Sequence, residues 1–215
     1  MTRVKLCGLT RPEDVRAAVE LGFDALGFIL VPTSPRRVTF EAVAALRPLV
    51  PPFVAVVAVV AGAAEEELDR LVASRLFDAV QFHGGETPDL VASVPLRRIV
   101  ALSVAERGDL DRARDYGGVA DAFLLDTKWG GKRGGTGRSF DWNVLRGFDF
   151  GRPIVLAGGL GPENLKRAVE AVGPDAVDLN SRLESAPGVK DRRLMEEAMR
   201  VLGRPGPVGE GRGRG

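Results

Sequence analysis

The feature that most constrains this chain is an alternation, repeated eight times, between short apolar runs and amphipathic helical stretches. The runs predict a first strand ending at Cys7, then strands over Asp24–Leu30, Phe53–Val60, Ala79–His83, Arg98–Leu102, Ala122–Asp126, Pro153–Ala157 and Ala176–Asn180. The helical spacing predicts helices over Pro12–Leu21, Phe40–Leu49, Ala64–Leu76, Thr87–Ser93, Leu110–Tyr116, Trp142–Phe148, Pro162–Val172 and Asp191–Leu202. The strands are apolar throughout, as a parallel sheet covered on both faces requires. Strand–helix–strand units connect right-handedly, and eight of them close into a single-domain α/β fold, the (β/α)8 TIM barrel. An open doubly wound sheet is the alternative that the pattern permits. Nothing interrupts the alternation before Leu202, so residues 1–202 are expected to form one domain. Gly203–Gly215, mostly Gly, Pro and Arg without periodicity, is expected to be a disordered tail.

Composition removes several function classes. Thirty basic against 29 acidic residues leave a net charge of +1, without the basic excess that a nucleic-acid partner demands. One cysteine makes neither an intrachain disulfide nor a multi-cysteine metal site, and a free thiol sits most easily in a reducing compartment, so a cytoplasmic location is expected. Met1-Thr2-Arg3 runs straight into the first strand with no signal-peptide pattern. The longest apolar tract, Phe53–Ala64, is too short to span a bilayer, so no membrane partner is expected. Lysine occurs only at positions 5, 128, 132, 166 and 190; arginine supplies the other 25 basic residues.

A barrel of this kind carries its chemistry at the C-terminal ends of its strands. Those ends hold Cys7, Leu30 with its loop, His83, Ser103, Asp126, Ala157-Gly158-Gly159 and Asn180-Ser181. Cys7 and Asp126 are the two reactive protic groups among them, although a lone cysteine is more often a small buried hydrophobe. Gly158-Gly159-Leu160-Gly161, ahead of Pro162 at a helix start, presents backbone N–H groups where a helix dipole is positive. The last strand ends Asp178-Leu179-Asn180-Ser181, and a short helix beginning near Ser181 aims a second set at the same spot. Loops after strands seven and eight form the phosphate site typical of such barrels, so a small phosphorylated molecule is the expected ligand. The stretch 127–137, with five glycines among basic residues, is expected to be a loop able to close over a ligand. Thr33-Ser34-Pro35-Arg36-Arg37 sets two guanidinium groups beside the strand of Cys7, where one suits a substrate carboxylate; spacing does not choose between them. His83, the sole histidine, either touches the ligand or makes a structural hydrogen bond.

Taken together, Lys5-Leu6-Cys7-Gly8-Leu9-Thr10, Ser34-Pro35-Arg36, Val80-Gln81-Phe82-His83-Gly84, Leu125-Asp126, Gly134-Gly135-Thr136-Gly137, Leu156-Ala157-Gly158-Gly159-Leu160, Pro162-Glu163-Asn164, Val177-Asp178 and Gly188-Val189-Lys190-Asp191 make the chain resemble the phosphoribosylanthranilate isomerase family of tryptophan biosynthesis. The resemblance runs from Thr2 to about Leu202. It implies an Amadori rearrangement of N-(5-phosphoribosyl)anthranilate to 1-(2-carboxyphenylamino)-1-deoxyribulose 5-phosphate, without metal or cofactor. The family's general acid falls on Asp126, its general base on Cys7 and its anthranilate-carboxylate contact on Arg36. His83, Gly158, Gly159, Asp178, Asn180 and Ser181 complete the expected substrate contacts. A monomer or a homodimer is compatible with the family.

That chemistry asks for a protonated Asp126 to open the furanose, which burial at a barrel mouth favours, and for a Cys7 thiolate to take the C2 proton. In one place the chain departs from the family: Asn180-Ser181-Arg182 stands where Ser-Ser-Gly is usual. An arginine in place of glycine is costly if that position needs a positive φ, and whether Arg182 reaches the phosphate is a question the sequence leaves open. The histidine-pathway isomerase carries an aspartate where this chain has Cys7, and indole-glycerol-phosphate synthase needs catalytic lysines that five scattered lysines do not promise. A non-catalytic phosphate-sugar-binding barrel is the alternative from another class, and it has no use for Cys7 with Asp126.

Overall fold

The structure, a computed structural model, describes residues 1–126 and 141–204. Eight parallel strands form a closed barrel: β1 (Arg3–Cys7), β2 (Ala25–Ile29), β3 (Ala55–Val60), β4 (Ala79–Phe82), β5 (Arg97–Ser103), β6 (Ala122–Asp126), β7 (Ile154–Ala157) and β8 (Ala176–Leu179). Each strand pairs with the next, and β8 returns to β1 with Asp178 opposite Lys5. Around them lie α1 (Pro12–Glu20), α2 (Phe40–Leu46), α3 (Glu65–Ser74), α4 (Pro88–Ser93), α5 (Ala113–Tyr116), α6 (Leu165–Val172) and α7 (Arg192–Val201). The expected (β/α)8 barrel is the observed fold.

Successive strand side chains point to opposite faces, and this parity sorts each apolar run into two cores. Val4, Leu6, Leu26, Phe28, Val80, Phe82, Phe123 and Leu125 point outward and join one large core with the helices. Each such side chain stabilises the fold by about 1.5–3 kcal/mol on burial. The other parity faces the barrel axis, where Leu124, Val155 and Ala157 fill one part and Cys7, Ile29 and Val59 another. Gly27 stands opposite Cys7 in register, and a methyl there would lie 2.9 Å from Cys7 Sγ and 3.0 Å from Lys5 Nζ. The glycine leaves the room that a lysine inside the barrel needs.

A repeated device closes the opposite, N-terminal end. Asp24, Asp78, Asp121 and Asp175 each precede an even-numbered strand, and each is followed by alanine. Their carboxylates accept from the amides of Val4, Val56, Arg98 and Ile154 at 2.7, 2.7, 2.9 and 2.8 Å. The aspartate amides donate in return to the carbonyls of the same four residues. Every odd strand is thus clasped to the start of the next even one.

Several of the expected elements shift. Helix α6 begins at Leu165, three residues after Pro162, because the Asn164 side chain accepts from the Gly161 amide at 2.9 Å and donates to the Gly159 carbonyl at 3.0 Å, holding an open turn. Trp142–Phe148 is not a helix: Trp142–Leu145 makes one 3-10 turn, ended before Gly147 at φ 67. After β8, a 3-10 turn at Ser181–Leu183 leads into an unexpected antiparallel hairpin, β9 (Glu184–Ala186) with β10 (Val189–Lys190). Its turn is Pro187-Gly188 with Gly188 at φ 80, a residue order suited to a tight turn. Arg204, at the start of the expected tail, is held by Asp24 at 2.6 Å and by the Gly22 carbonyl at 2.9 Å. Residues 205–215 and the stretch 127–137 lie outside the described residues.

Candidate active site

The C-terminal mouth holds a cavity of about 280 Å³, lined by the two expected catalytic groups and by the expected substrate contacts. Cys7 and Asp126 face it with Arg36 and His83; Gly158 and Gly159 come from the end of β7, and Asp178, Asn180 and Ser181 from β8 and the turn beyond. Arg37 does not line it. The strand period of two explains the convergence. Inward parity on β1 carries Lys5 and Cys7, on β4 Gln81 and then His83, and on β8 Asp178 and then Asn180.

Cys7 is buried, and Lys5 and Asp178 lie beside it. Lys5 Nζ donates to both oxygens of Asp178 at 2.9 Å, with both side chains nearly inaccessible. Burial pushes the Cys7 thiol above its ordinary value; Lys5 pulls it down and Asp178 pushes it up again. Burial also disfavours the Lys5 ammonium, but Asp178 and Cys7 outweigh that and hold its pKa above the ordinary value. Cys7 thus lies between a burial that disfavours its thiolate and a lysine that favours it.

Across the mouth, Asp126 Oδ2 lies 3.5 Å from His83 Nε2. His83 Nδ1 lies 3.0 Å from Gln81 Nε2, so the other ring nitrogen is the one that faces Asp126. Gln81 is itself buried, and its Oε1 has no hydrogen-bond partner among the described residues. His83 thus orients against Asp126 as well as lining the cavity.

Arg36 sits on the loop after β2. Its amide donates to Ser34 Oγ at 3.1 Å, and its guanidinium is gripped from behind by Glu184 on β9. Gly8, at φ 75, makes space for this: a methyl there would lie 2.7 Å from Arg36 Cδ and 2.8 Å from Asn180 Oδ1. Lys190, fully buried on β10, donates to Glu184 at 2.8 Å and to Asn180 Oδ1 at 3.0 Å.

Gly158 and Gly159 take φ values of 95 and 63, a conformation glycine enters without strain. Arg182 does not turn toward them. It pairs with Glu163 at 3.2 Å on the surface and does not line the cavity. The feared strain is absent as well, since Arg75 is the sole non-glycine residue with positive φ among the described residues. Arg182 enters a 3-10 turn instead, its Cβ packed where Gly161 has none.

Comparison with known proteins shows the family. The family model described as N-(5'phosphoribosyl)anthranilate (PRA) isomerase matches residues 4–201. The chain belongs to this family. An N-(5'-phosphoribosyl)anthranilate isomerase from Petrotoga mobilis is 43% identical over 93% of this chain and 96% of its own. The phosphoribosyl anthranilate isomerase of Thermotoga maritima superposes with a TM-score of 0.87 at 36% identity, over 94% of this chain and 99% of that one. Another solved isomerase, in complex with reduced 1-(o-carboxyphenylamino)-1-deoxyribulose 5-phosphate, gives 0.85 at 33% identity over 94% and 99%. Monomers of the dimeric Thermotoga maritima enzyme give 0.84 at 32% over the same shares. The family is one of enzymes, isomerases of tryptophan biosynthesis, which sets aside the non-catalytic barrel.

Four residues of the mouth escape a reading of strand tips: Lys5, Gln81, Glu184 and Lys190. Lys5 and Gln81 carried a signal, being polar residues inside apolar strands, two places before Cys7 and His83. Two of the five lysines, taken from the sequence as scattered, are buried at the barrel mouth.

Proposed function

We propose that the chain performs the Amadori rearrangement of N-(5-phosphoribosyl)anthranilate to 1-(2-carboxyphenylamino)-1-deoxyribulose 5-phosphate, with Asp126 as general acid and Cys7 as general base. The observation that carries this is the placement of the two groups on one cavity, between a guanidinium and a glycine-rich rim. The Asp126 carboxyl gives its proton to the ring oxygen, the C1–O bond breaks, and the anthranilate nitrogen forms a cationic imine with C1. Cys7 takes the C2 proton, and the C2–H electrons move toward the imine to give an enolamine. The Cys7 thiol then gives its proton to C1, and the C2 hydroxyl returns one to Asp126, leaving the ketose with thiolate and carboxyl restored. Cys7 takes the C2 proton only as thiolate. Lys5 beside it, joined by the imine cation of the substrate, favours that form.

Arg36 takes the anthranilate carboxylate. The amides near Gly158, Gly159 and Ser181 take the phosphate, and Asp178 and Asn180 lie between these ends. His83 orients Asp126. A reducing, cytoplasmic setting keeps Cys7 as a thiol. A homodimer is part of the proposal, supported by Met1 and Phe53, the large hydrophobic side chains left exposed just ahead of β1 and β3; sedimentation velocity reads it directly.

The test is loss of the fluorescence of phosphoribosylanthranilate under turnover. Cys7→Ser and Asp126→Asn are each expected to lower kcat by about 10²–10⁴. Turnover at the wild-type rate in the double variant would remove the mechanism.

A further inference from the structure

Arg36 is not simply a cation at the rim. Its Nε donates to both oxygens of Glu184, at 2.9 and 3.1 Å, and its Nη2 donates to one of them at 2.6 Å. A guanidinium offers five N–H donors in a planar fork with two edges suited to a carboxylate. Glu184 occupies the Nε–Nη2 edge. The edge left over, Nη1 with the second hydrogen of Nη2, is the one that can meet a ligand, and Arg36 lines the cavity whereas Glu184 does not.

An acid this close would ordinarily cancel the attraction for a second carboxylate. Here it does not, because Lys190 donates to Glu184 Oε1, the oxygen that Arg36 Nη2 leaves, and is wholly enclosed. Burial pulls the Lys190 ammonium below its ordinary value and Glu184 opposes that pull; with Lys190 charged, two cations share one anion and the cluster keeps one positive charge for the ligand. Burial alone would raise the Glu184 carboxyl; Arg36 and Lys190 outweigh it and hold it ionised. The neighbouring Asp14, whose Oδ2 accepts from the Lys190 amide at 3.1 Å, is itself paired with Arg11. The hairpin that presents Glu184 is pinned to the loop after β1, with Thr10 Oγ1 donating to the Gly188 carbonyl at 2.6 Å and the Gly188 amide lying 3.3 Å from Glu184 Oε1.

We infer that Glu184 is a positioning residue that aims the second edge of Arg36 at the substrate's carboxylate, with Lys190 as the counter-cation that keeps this site positive. The inference rests on the reading that Arg36 meets that carboxylate, and its test separates the two. The probes are two competitive inhibitors, reduced 1-(o-carboxyphenylamino)-1-deoxyribulose 5-phosphate and the same molecule without its ring carboxylate. In the wild-type enzyme the carboxylate is expected to tighten inhibition about 10–100-fold, the worth of hydrogen bonds between charged groups. Arg36→Met should abolish that ratio. Glu184→Gln should bring it to within about threefold while leaving kcat within about threefold and raising KM about tenfold, a split that loss of folding would not produce. Glu184→Asp keeps every charge but withdraws the carboxylate, and serves if the glutamine variant does not fold; it too should lose most of the ratio. A wild-type ratio retained by either folded Glu184 variant overturns the inference and leaves the Arg36 reading standing. A ratio unchanged in Arg36→Met overturns both.

Discussion

Lys5 and Asp178, on neighbouring strands, are joined through both carboxylate oxygens at 2.9 Å inside the barrel, directly below Cys7. A buried pair of this kind adds little net stability against a hydrophobic replacement, so its value lies in what it does to its neighbour. Burial pushes the Cys7 thiol up, and the Lys5 ammonium is the largest influence opposing it. Lys5→Met should therefore move the pH midpoint for alkylation of Cys7 by iodoacetamide upward and lower kcat by about 10–100-fold, part of the range a general base supplies. KM should change little. The companion variant Lys5→Met with Asp178→Asn removes the stranded carboxylate and protects the fold. An unchanged alkylation midpoint in both would show that Lys5 does not act on the thiol.

The aspartate clasps at the other end of the barrel predict a stability effect without a catalytic one. Asp78 accepts from Val56 N–H far from the cavity, so Asp78→Ala should cost about 1–2 kcal/mol in urea unfolding and leave KM unchanged.

Asp121 adds a pH dependence. Burial alone would raise its carboxyl, but the Arg98 amide and guanidinium, with Arg97, outweigh it and hold the pKa below its ordinary value. The unfolded chain then binds more protons than the folded one around pH 4, so this contribution is present above the ordinary aspartate pKa of about 3.9 and is lost as pH falls through the lower folded value. Asp121→Asn should reduce the drop in Tm between about pH 6 and pH 3, measured by calorimetry.

How much of this was legible in the chain follows from the range of each interaction. Cys7, His83 and Asp126 could be placed because a strand end is a local property and the barrel rule then brings all strand ends to one face. Lys5 and Gln81 were legible by the same parity, as polar breaks two residues earlier, but an apolar run hides one polar member. Glu184 was out of reach: its partner Arg36 is 148 residues away, and a surface pair and a buried pair look alike in sequence. The Pro187-Gly188 turn announces a hairpin, yet nothing in it says what the hairpin carries. Trp142–Phe148 has helical spacing, but Gly147 stops it and Phe148 and Phe150 pack with each other at 4.6 Å between ring centroids, so tertiary contact decides.

Gly8 offers a test in which backbone strain and site geometry can be separated. Both Gly8 and Gly22 hold positive φ, at 75 and 80, so alanine at either should cost about 1 kcal/mol of stability through the left-handed backbone alone. Around Gly22 nothing lies within 4 Å of an added methyl, whereas at Gly8 the methyl meets Arg36 Cδ at 2.7 Å and Asn180 Oδ1 at 2.8 Å. Gly22→Ala should lower Tm and leave KM alone. Gly8→Ala should lower Tm further and raise KM by about tenfold or more, because the Arg36 stem must move off its clasp on Glu184 and lose bidentate geometry. Equal KM values in the two variants, measured at a temperature where both are folded, would mean that the Arg36 stem has slack and that Gly8 serves only the turn.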